Sequence, residues 1–350
     1  MKRALFSTLL VVSSALVWAG GTAEEMLAKL DSMKRPMLTR EDSQDQAKMA
    51  QYRESMKAYS SERAALILEF ALAYPTHERT AKLMPERWSA LPSTIGGERE
   101  AMMTSAAKQI RSDIAKAKFE ASLKDTGEAT ALNFDLQAKE RTVAEQLALA
   151  DKFINGHKGA DAGAMVLSSI LRGAKGDEKL SLTKRMAADF GKTRYGKYAP
   201  GEIRQTEALG KPFSLSFTDA ITGAKVDSTS LKGKVVIIDF WATWCGPCIA
   251  EMPRMKAMYE KFHPLGLEIL GVSLDMAEDK GGLDKLKAYC EKEGIKWAQY
   301  YQGNYWDSEF SVSWGINSIP RMFLIDKQGN LVDLEARKDT EKKVEELLGK

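Results

Sequence analysis

The 350-residue chain is poor in cysteine: Cys245, Cys248 and Cys290 are its only three, and none precedes position 245. An odd number confined to the last third cannot make a complete disulfide framework. Histidine is as scarce, with His77, His157 and His263 scattered along the chain. Neither a His-rich nor a four-cysteine metal site can be assembled from these, so no metal or other cofactor is expected. Charge of one sign is missing too. The 51 basic and 48 acidic residues leave a net charge of +3, with both signs interspersed, so the basic field that grips nucleic acid is absent. Beyond the first 23 residues no stretch approaches the roughly 20 apolar residues that span a bilayer.

Hydrophobic residues make up 44% of the chain and charged residues 28%, the balance of a packed globular protein. At roughly 150 residues per domain, the length predicts two domains or three small ones. At the amino terminus, Lys2 and Arg3 precede a mostly apolar run from Ala4 to Ala19. Small residues, Ala19-Gly20-Gly21-Thr22-Ala23, and then Glu24-Glu25 follow. Residues 1–23 read as a cleavable export signal, cut after Ala19 or Ala23 with Ala23 favoured; an uncleaved anchor is the alternative. The mature chain is expected to be soluble in a periplasmic or other extracytoplasmic compartment, where disulfides persist.

Residues 24–200 are rich in Ala, Met, Leu, Lys and Glu, and proline is absent from Ser93 to Ala199. That composition predicts packed helices. Val143, Leu147, Ala150 and Ile154 form an apolar stripe that stops at Asn155-Gly156, and Ala65, Leu68 and Leu72 form another. Breaks at Tyr74-Pro75, Leu91-Pro92, Gly96-Gly97, Asp125-Thr126-Gly127, Gly173 to Gly176 and Gly191 divide the region into six or seven helices. No site is assigned there, and its partner is unknown.

After Ala199-Pro200-Gly201 strands and helices alternate. Strands are expected at Phe213 to Phe217, Lys225 to Ser228, Lys234 to Trp241, Leu267 to Leu274, Trp297 to Tyr301, Arg321 to Ile325 and Leu331 to Leu334. Helices are expected at Gly246 to Phe262, Gly282 to Glu293, Trp306 to Trp314 and Thr340 to Leu348. Such alternation demands a sheet flanked by helices.

Cys245 and Cys248 lie three residues apart, where the apolar strand ends and a helix begins. Unpaired N–H groups and the positive end of the dipole at a helix start stabilise a thiolate, so Cys245 is the expected nucleophile. Cys248, about one turn on, can close onto it. A purely structural disulfide is disfavoured because so short a loop constrains the unfolded chain little.

The run Ile238-Asp239-Phe240-Trp241-Ala242-Thr243-Trp244-Cys245-Gly246-Pro247-Cys248 closely resembles the active-site signature of thioredoxins. With Lys232-Gly233-Lys234-Val235-Val236 before it, Glu251-Met252-Pro253 after it and Ile319-Pro320-Arg321-Met322-Phe323-Leu324-Ile325-Asp326 downstream, residues 205–350 resemble the exported TlpA/ResA-like branch. The resemblance implies a thioredoxin fold behind an all-helical domain, and thiol–disulfide exchange. By the same resemblance, Glu251 matches the carboxylate kept beside the disulfide, able to exchange a proton with the Cys248 thiol. Asp239 matches the buried aspartate of cytoplasmic thioredoxins; having both acids departs from the exported branch. Ile319-Pro320 matches the cis-proline loop that offers backbone groups to an extended substrate. Arg321 stands where relatives often carry threonine, placed to contact acidic substrate groups or to shift the cysteine pKa. Trp244 flanks the cysteines as a recognition surface, Pro253 matches a structural kink proline, and Cys290 is expected to be a buried free thiol.

Gly246-Pro247 between the cysteines resembles reductants more than strong oxidants. The implied partners are disulfide-containing client proteins and a membrane electron donor that restores the dithiol. A peroxiredoxin-like peroxidase would want Thr or Ser where Ala242 stands. A helical binding protein with a redox-sensitive latch is the remaining alternative.

Overall fold

The computed structural model describes residues 21–39 and 42–349; the expected export signal, up to residue 20, lies outside them. The chain divides into two compact units, Met1–Arg141 and Thr142–Lys350.

The described part of the first unit is helical: α1 (Ala23–Ser32), α2 (Gln46–Ala73), α3 (Glu78–Ile95), α4 (Arg99–Lys116) and α5 (Ala121–Ala138). Thr22 caps α1 through a reciprocal box with Glu25, which satisfies two N–H groups that the helix start would leave open. The core gathers Phe70, Met84, Trp88 and Ile110. On α2 the buried face carries Ala64, Ile67, Phe70 and Ala71, whereas Ala65 and Leu72 are exposed; the expected stripe is therefore one position out. The break expected at Leu91-Pro92 does not occur. Helix α3 runs through both Pro85 and Pro92, held by burial of Trp88 and Leu91, while the Ser93 and Thr94 hydroxyls donate to the carbonyls of Ala90 and Leu91. Nor does Asp125-Thr126-Gly127 break α5. A Cβ on Gly127 would meet the Trp88 ring at 2.8 Å and the Ile114 side chain at 2.7 Å, so this glycine lets helices approach closely instead of ending one.

The second unit begins with α6 (Val143–Gly156), α7 (Asp161–Leu171), α8 (Gly176–Phe190) and α9 (Ala199–Ala208). Eight helices therefore stand among the described residues before Tyr198, not six or seven. Ala199-Pro200-Gly201 opens α9, where proline in a first helical turn loses no hydrogen bond. The change in composition near residue 200 and the change in packing at Arg141 fall at different places.

The sheet follows. A hairpin of β1 (Ser216–Thr218) and β2 (Lys225–Asp227) precedes β3 (Val235–Trp241), α10 (Gly246–Phe262), β4 (Leu267–Ser273), α11 (Gly282–Glu293) and β5 (Gln299–Tyr301). Then come α12 (Glu309–Ser313), β6 (Arg321–Ile325), β7 (Leu331–Asp333) and α13 (Thr340–Leu348). The strand order is β5-β4-β3-β6-β7, with β3, β4 and β5 parallel, β6 antiparallel to β3 and β7 antiparallel to β6. Every residue of β3 is buried, so both faces of the sheet are covered at its centre. Two expected elements shift. Phe213 pairs its N–H with the Gly329 carbonyl, which delays β1, and the helix expected from Trp306 divides at Ser308, whose hydroxyl caps α12.

Helix α9 seats on the turn after α12 through glycines: a Cβ on Gly201 would lie 2.1 Å from the Gly315 nitrogen. Gly201→Ala is expected to push α9 away and lower the stability of the second unit by about 1–3 kcal/mol, read from its denaturant midpoint.

Candidate active site

Strand β3 is a run of apolar, mostly β-branched residues, and its buried course fixes where the chain emerges at Ala242. The loop beyond is held against the end of β4. The Thr243 N–H and hydroxyl both donate to the Asp275 carboxylate, Ser273 donates to the same group, and the Trp244 indole donates to the Leu274 carbonyl at 3.1 Å. Burial pushes the Asp275 carboxyl above the usual carboxylate range, against the hydrogen bonds from Thr243 and Ser273. Asp275 carries no motif and was not foreseen.

Cys245 occupies the N-cap position of α10, and its Sγ accepts the Cys248 N–H at 3.2 Å. The two cysteines are joined as a disulfide with Cα atoms 5.2 Å apart. Both are buried, Cys245 keeping 5% of its surface. Trp244, at 40% exposure, stands beside them and packs against Tyr305 in a tilted pair and against Trp306 edge-on, at 4.9 and 5.9 Å between ring centres. Pro253 lies inside α10. Cys290 is a buried free thiol, as expected, and burial pushes it up to about 12.

Asp239 on β3 and Glu251 on α10 are close enough to interact electrostatically. Asp239 is 3% exposed, and its Oδ1 has no hydrogen-bond partner. Burial, reinforced by the nearby Glu251 charge, pushes its carboxyl up to about 7, against the pull of Arg254 and Arg337. Glu251 lies one turn after Cys248 on α10. Its Oε1 accepts from Arg337 Nε at 2.7 Å, while its Oε2 is buried without a partner. Arg337, like Asp275, is a residue that sequence reasoning missed; nothing in its local pattern points across the fold to α10.

The Ile319-Pro320 peptide bond is cis. Phe240 pairs with Arg321 across the β3–β6 ladder, so this loop and the cysteine loop leave the same end of the sheet. Arg321 reaches the other way: Nη1 pairs with Glu335 at 2.6 Å and Nη2 donates to Gln205 on α9 at 3.2 Å. No metal cluster exists among the described residues.

A strand-to-helix junction carrying a two-cysteine disulfide, on a mixed five-stranded sheet whose neighbouring strand follows a cis-proline, defines a thioredoxin-type thiol–disulfide oxidoreductase. Residues 208–348 match the Redoxin family. Thiol-disulfide oxidoreductase ResA of Bacillus thuringiensis and that of Bacillus anthracis are each 30% identical over 186 residues, covering 53% of this chain and 93% of theirs. The chain belongs to the ResA-like thiol–disulfide oxidoreductases of the thioredoxin superfamily. A thioredoxin domain of a thiol-disulfide oxidoreductase from Bacteroides vulgatus is 29% identical, with a TM-score of 0.35 over 40% of this chain and 98% of that one.

The Asp239 carboxyl has a stability consequence. Its folded pKa lies above its unfolded value near 3.8. Between the two, the unfolded chain gives up the proton that the folded chain keeps. Stability therefore falls as pH rises from about 4 to about 7, and is flat above. The size is on the order of 4 kcal/mol, from about three pKa units. Asp239→Asn is expected to abolish this slope and leave the oxidised protein more stable than wild type at pH 8, measured by denaturant titration at pH 5 and pH 8.

Proposed function

We propose that the chain is an extracytoplasmic oxidoreductase that reduces disulfides of client proteins through Cys245 and Cys248. The observation that carries this is the Cys248 N–H aimed at Cys245 Sγ at the start of α10: the contact that stabilises a negative sulfur belongs to Cys245, at the N-cap of the helix. In the reduced enzyme the Cys245 thiolate attacks a client disulfide, an S–S bond forms to the client, and one client sulfur leaves as thiolate. Cys248 then loses its proton, attacks Cys245 Sγ and expels the second client thiolate. Two electrons pass to the client, and the enzyme is left with the disulfide seen here. The client thiolates take up protons as they leave.

Asp239 and Glu251 are assigned as acceptors of the Cys248 proton, Glu251 lying one turn further along α10 and Asp239 interacting with it. An acid with a pKa near 7 can hold that proton and return it at neutral pH. Trp244 and the Ile319-Pro320 loop form the surface along which an extended client lies, with Arg321 at its edge. Restoring the dithiol needs two electrons from a donor, assigned to a membrane partner because the compartment is oxidising.

Export is assigned to the apolar amino-terminal segment. The Thr22 capping box and the Tyr74 hydroxyl bonded to the Gly21 carbonyl at 3.0 Å make both residues part of the fold. Cleavage after Ala19 is therefore favoured over Ala23, and the mature amino terminus is expected at Gly20 by intact mass.

Insulin reduction tests the activity. Wild type is expected to turn over and Cys245→Ser to lose at least about 100-fold, whereas turnover surviving in Cys245→Ser would overturn the assignment. Cys248→Ser should instead accumulate the client as a mixed disulfide on Cys245, identifiable by mass spectrometry.

A further inference from the structure

Beside the cis-proline loop, within the second unit, lies a cavity of about 370 Å³, inside the range of about 300–1,000 Å³ typical of sites that receive small groups. One wall is the chain entering the loop: Asn317, Ser318 and, just beyond the proline, Arg321. Ser318 directly precedes Ile319 and Arg321 directly follows Pro320. The cavity therefore starts within one residue, about 4 Å, of the backbone assigned to the client. The opposite wall comes from helices outside the sheet-bearing fold, with Lys179 on α8 and Glu202 and Gln205 on α9.

The walls are tied together. Gln205, 8% exposed, donates to the Trp314 carbonyl and accepts from Arg321. Asn317 Nδ2 donates to Glu202 Oε1 at 3.0 Å. The Arg204 guanidinium lies 4.2 Å from the Trp314 ring centre. Two cations, Lys179 and Arg321, face the space. Lys179 is exposed and makes no ion pair among the described residues. Arg321 has a buried Nε without a partner, and its ion-pair partner Glu335 is 72% exposed, a rim side chain free to swing out. The other acid, Glu202, is opposed by burial, which raises its carboxyl against the pull of Lys179 and Arg321. The space is lined by two cations, Lys179 and Arg321, and two acids, the half-buried Glu202 and the exposed Glu335; an incoming carboxylate can take the place of Glu335 on Arg321 and meet Lys179 as well.

We propose that this cavity is a client subsite, in which an acidic side chain next to the attacked cysteine displaces Glu335 from Arg321 and is covered by Lys179. The proposal rests on the reading that the enzyme exchanges disulfides with proteins, and adds which clients it prefers. The appended helices then set specificity as well as supporting the fold.

Peptides with one intramolecular disulfide and Glu, Gln or Lys beside either cysteine test it, with kcat/KM measured for the reduced full-length enzyme. Wild type is expected to favour Glu over Gln by about fivefold, and Gln over Lys. The preference should shrink at 1 M salt, where the screening length is about 3 Å. Arg321→Gln should bring the Glu/Gln ratio towards one, and Arg321→Lys should keep part of it. Lys179→Glu, on an exposed helical face, should reverse the order. Equal kcat/KM for the three peptides at both positions would overturn the subsite while leaving disulfide exchange intact. Reduction of none of them would overturn the exchange reading itself.

Discussion

The structure turns on one contact, the N–H of Cys248 directed at the sulfur of Cys245. Its position depends on everything around it. The sulfur is where it is because β3 is buried along its whole length, and a strand covered on both faces cannot slide by a residue without moving its side chains to the wrong side. Asp275 then pins the loop between strand and helix through Thr243, and α10 begins at once, with Pro247 in the first turn where its missing N–H is harmless. A thiolate stabilised by N–H groups needs those groups fixed before the charge appears, and the packed strand and anchored loop fix them.

Against that rigid frame stands a local cost. Asp239 interrupts the most buried strand with a carboxyl whose Oδ1 finds no donor, and Glu251 adds a second carboxyl to the same apolar region. Two effects compete there. For Asp239, burial and the Glu251 charge favour the proton while Arg254 and Arg337 favour the charged form, and the former win, pushing the carboxyl up to about 7. Arg337 is half spent, since its Nε holds Glu251 Oε1. The arrangement lets the Asp239 carboxyl exchange its proton near neutral pH, the condition a resolving thiol needs of its acceptor on the proposed mechanism. Stability given up at a site of this kind is a recurring feature of proteins that handle protons.

Local chemistry decided what was readable in advance. Helices α10, α11 and α13 and strand β6 begin and end where apolar patterning and turn residues put them, because each alternation of strand and helix is punctuated locally. The cysteine pair, Asp239, Glu251 and the cis-proline loop were legible because a contiguous motif carries them. Helices α3 and α5 were misread at Pro92 and Gly127 because tertiary packing outweighed local preference: burial of Trp88 carried α3 onward, and the same indole required a glycine opposite. Arg337, Asp275, Gln205 and Glu202 were invisible for a related reason. Each acts across tens of residues through contacts that no sequence period records.

The last case bears on how the two halves of the second unit work together. Glycines at 201 and 315 bring α9 against the turn before the cis-proline loop so closely that neither tolerates a Cβ. Gln205 and Glu202 then bond to Trp314, Arg321 and Asn317. A loop that binds an extended polypeptide must hold its backbone groups still, because ordering them on contact would cost affinity. In this chain the side of the loop away from β3 is braced by α9. A helix added to steady the loop will, by the same packing, also shape what can lie along it.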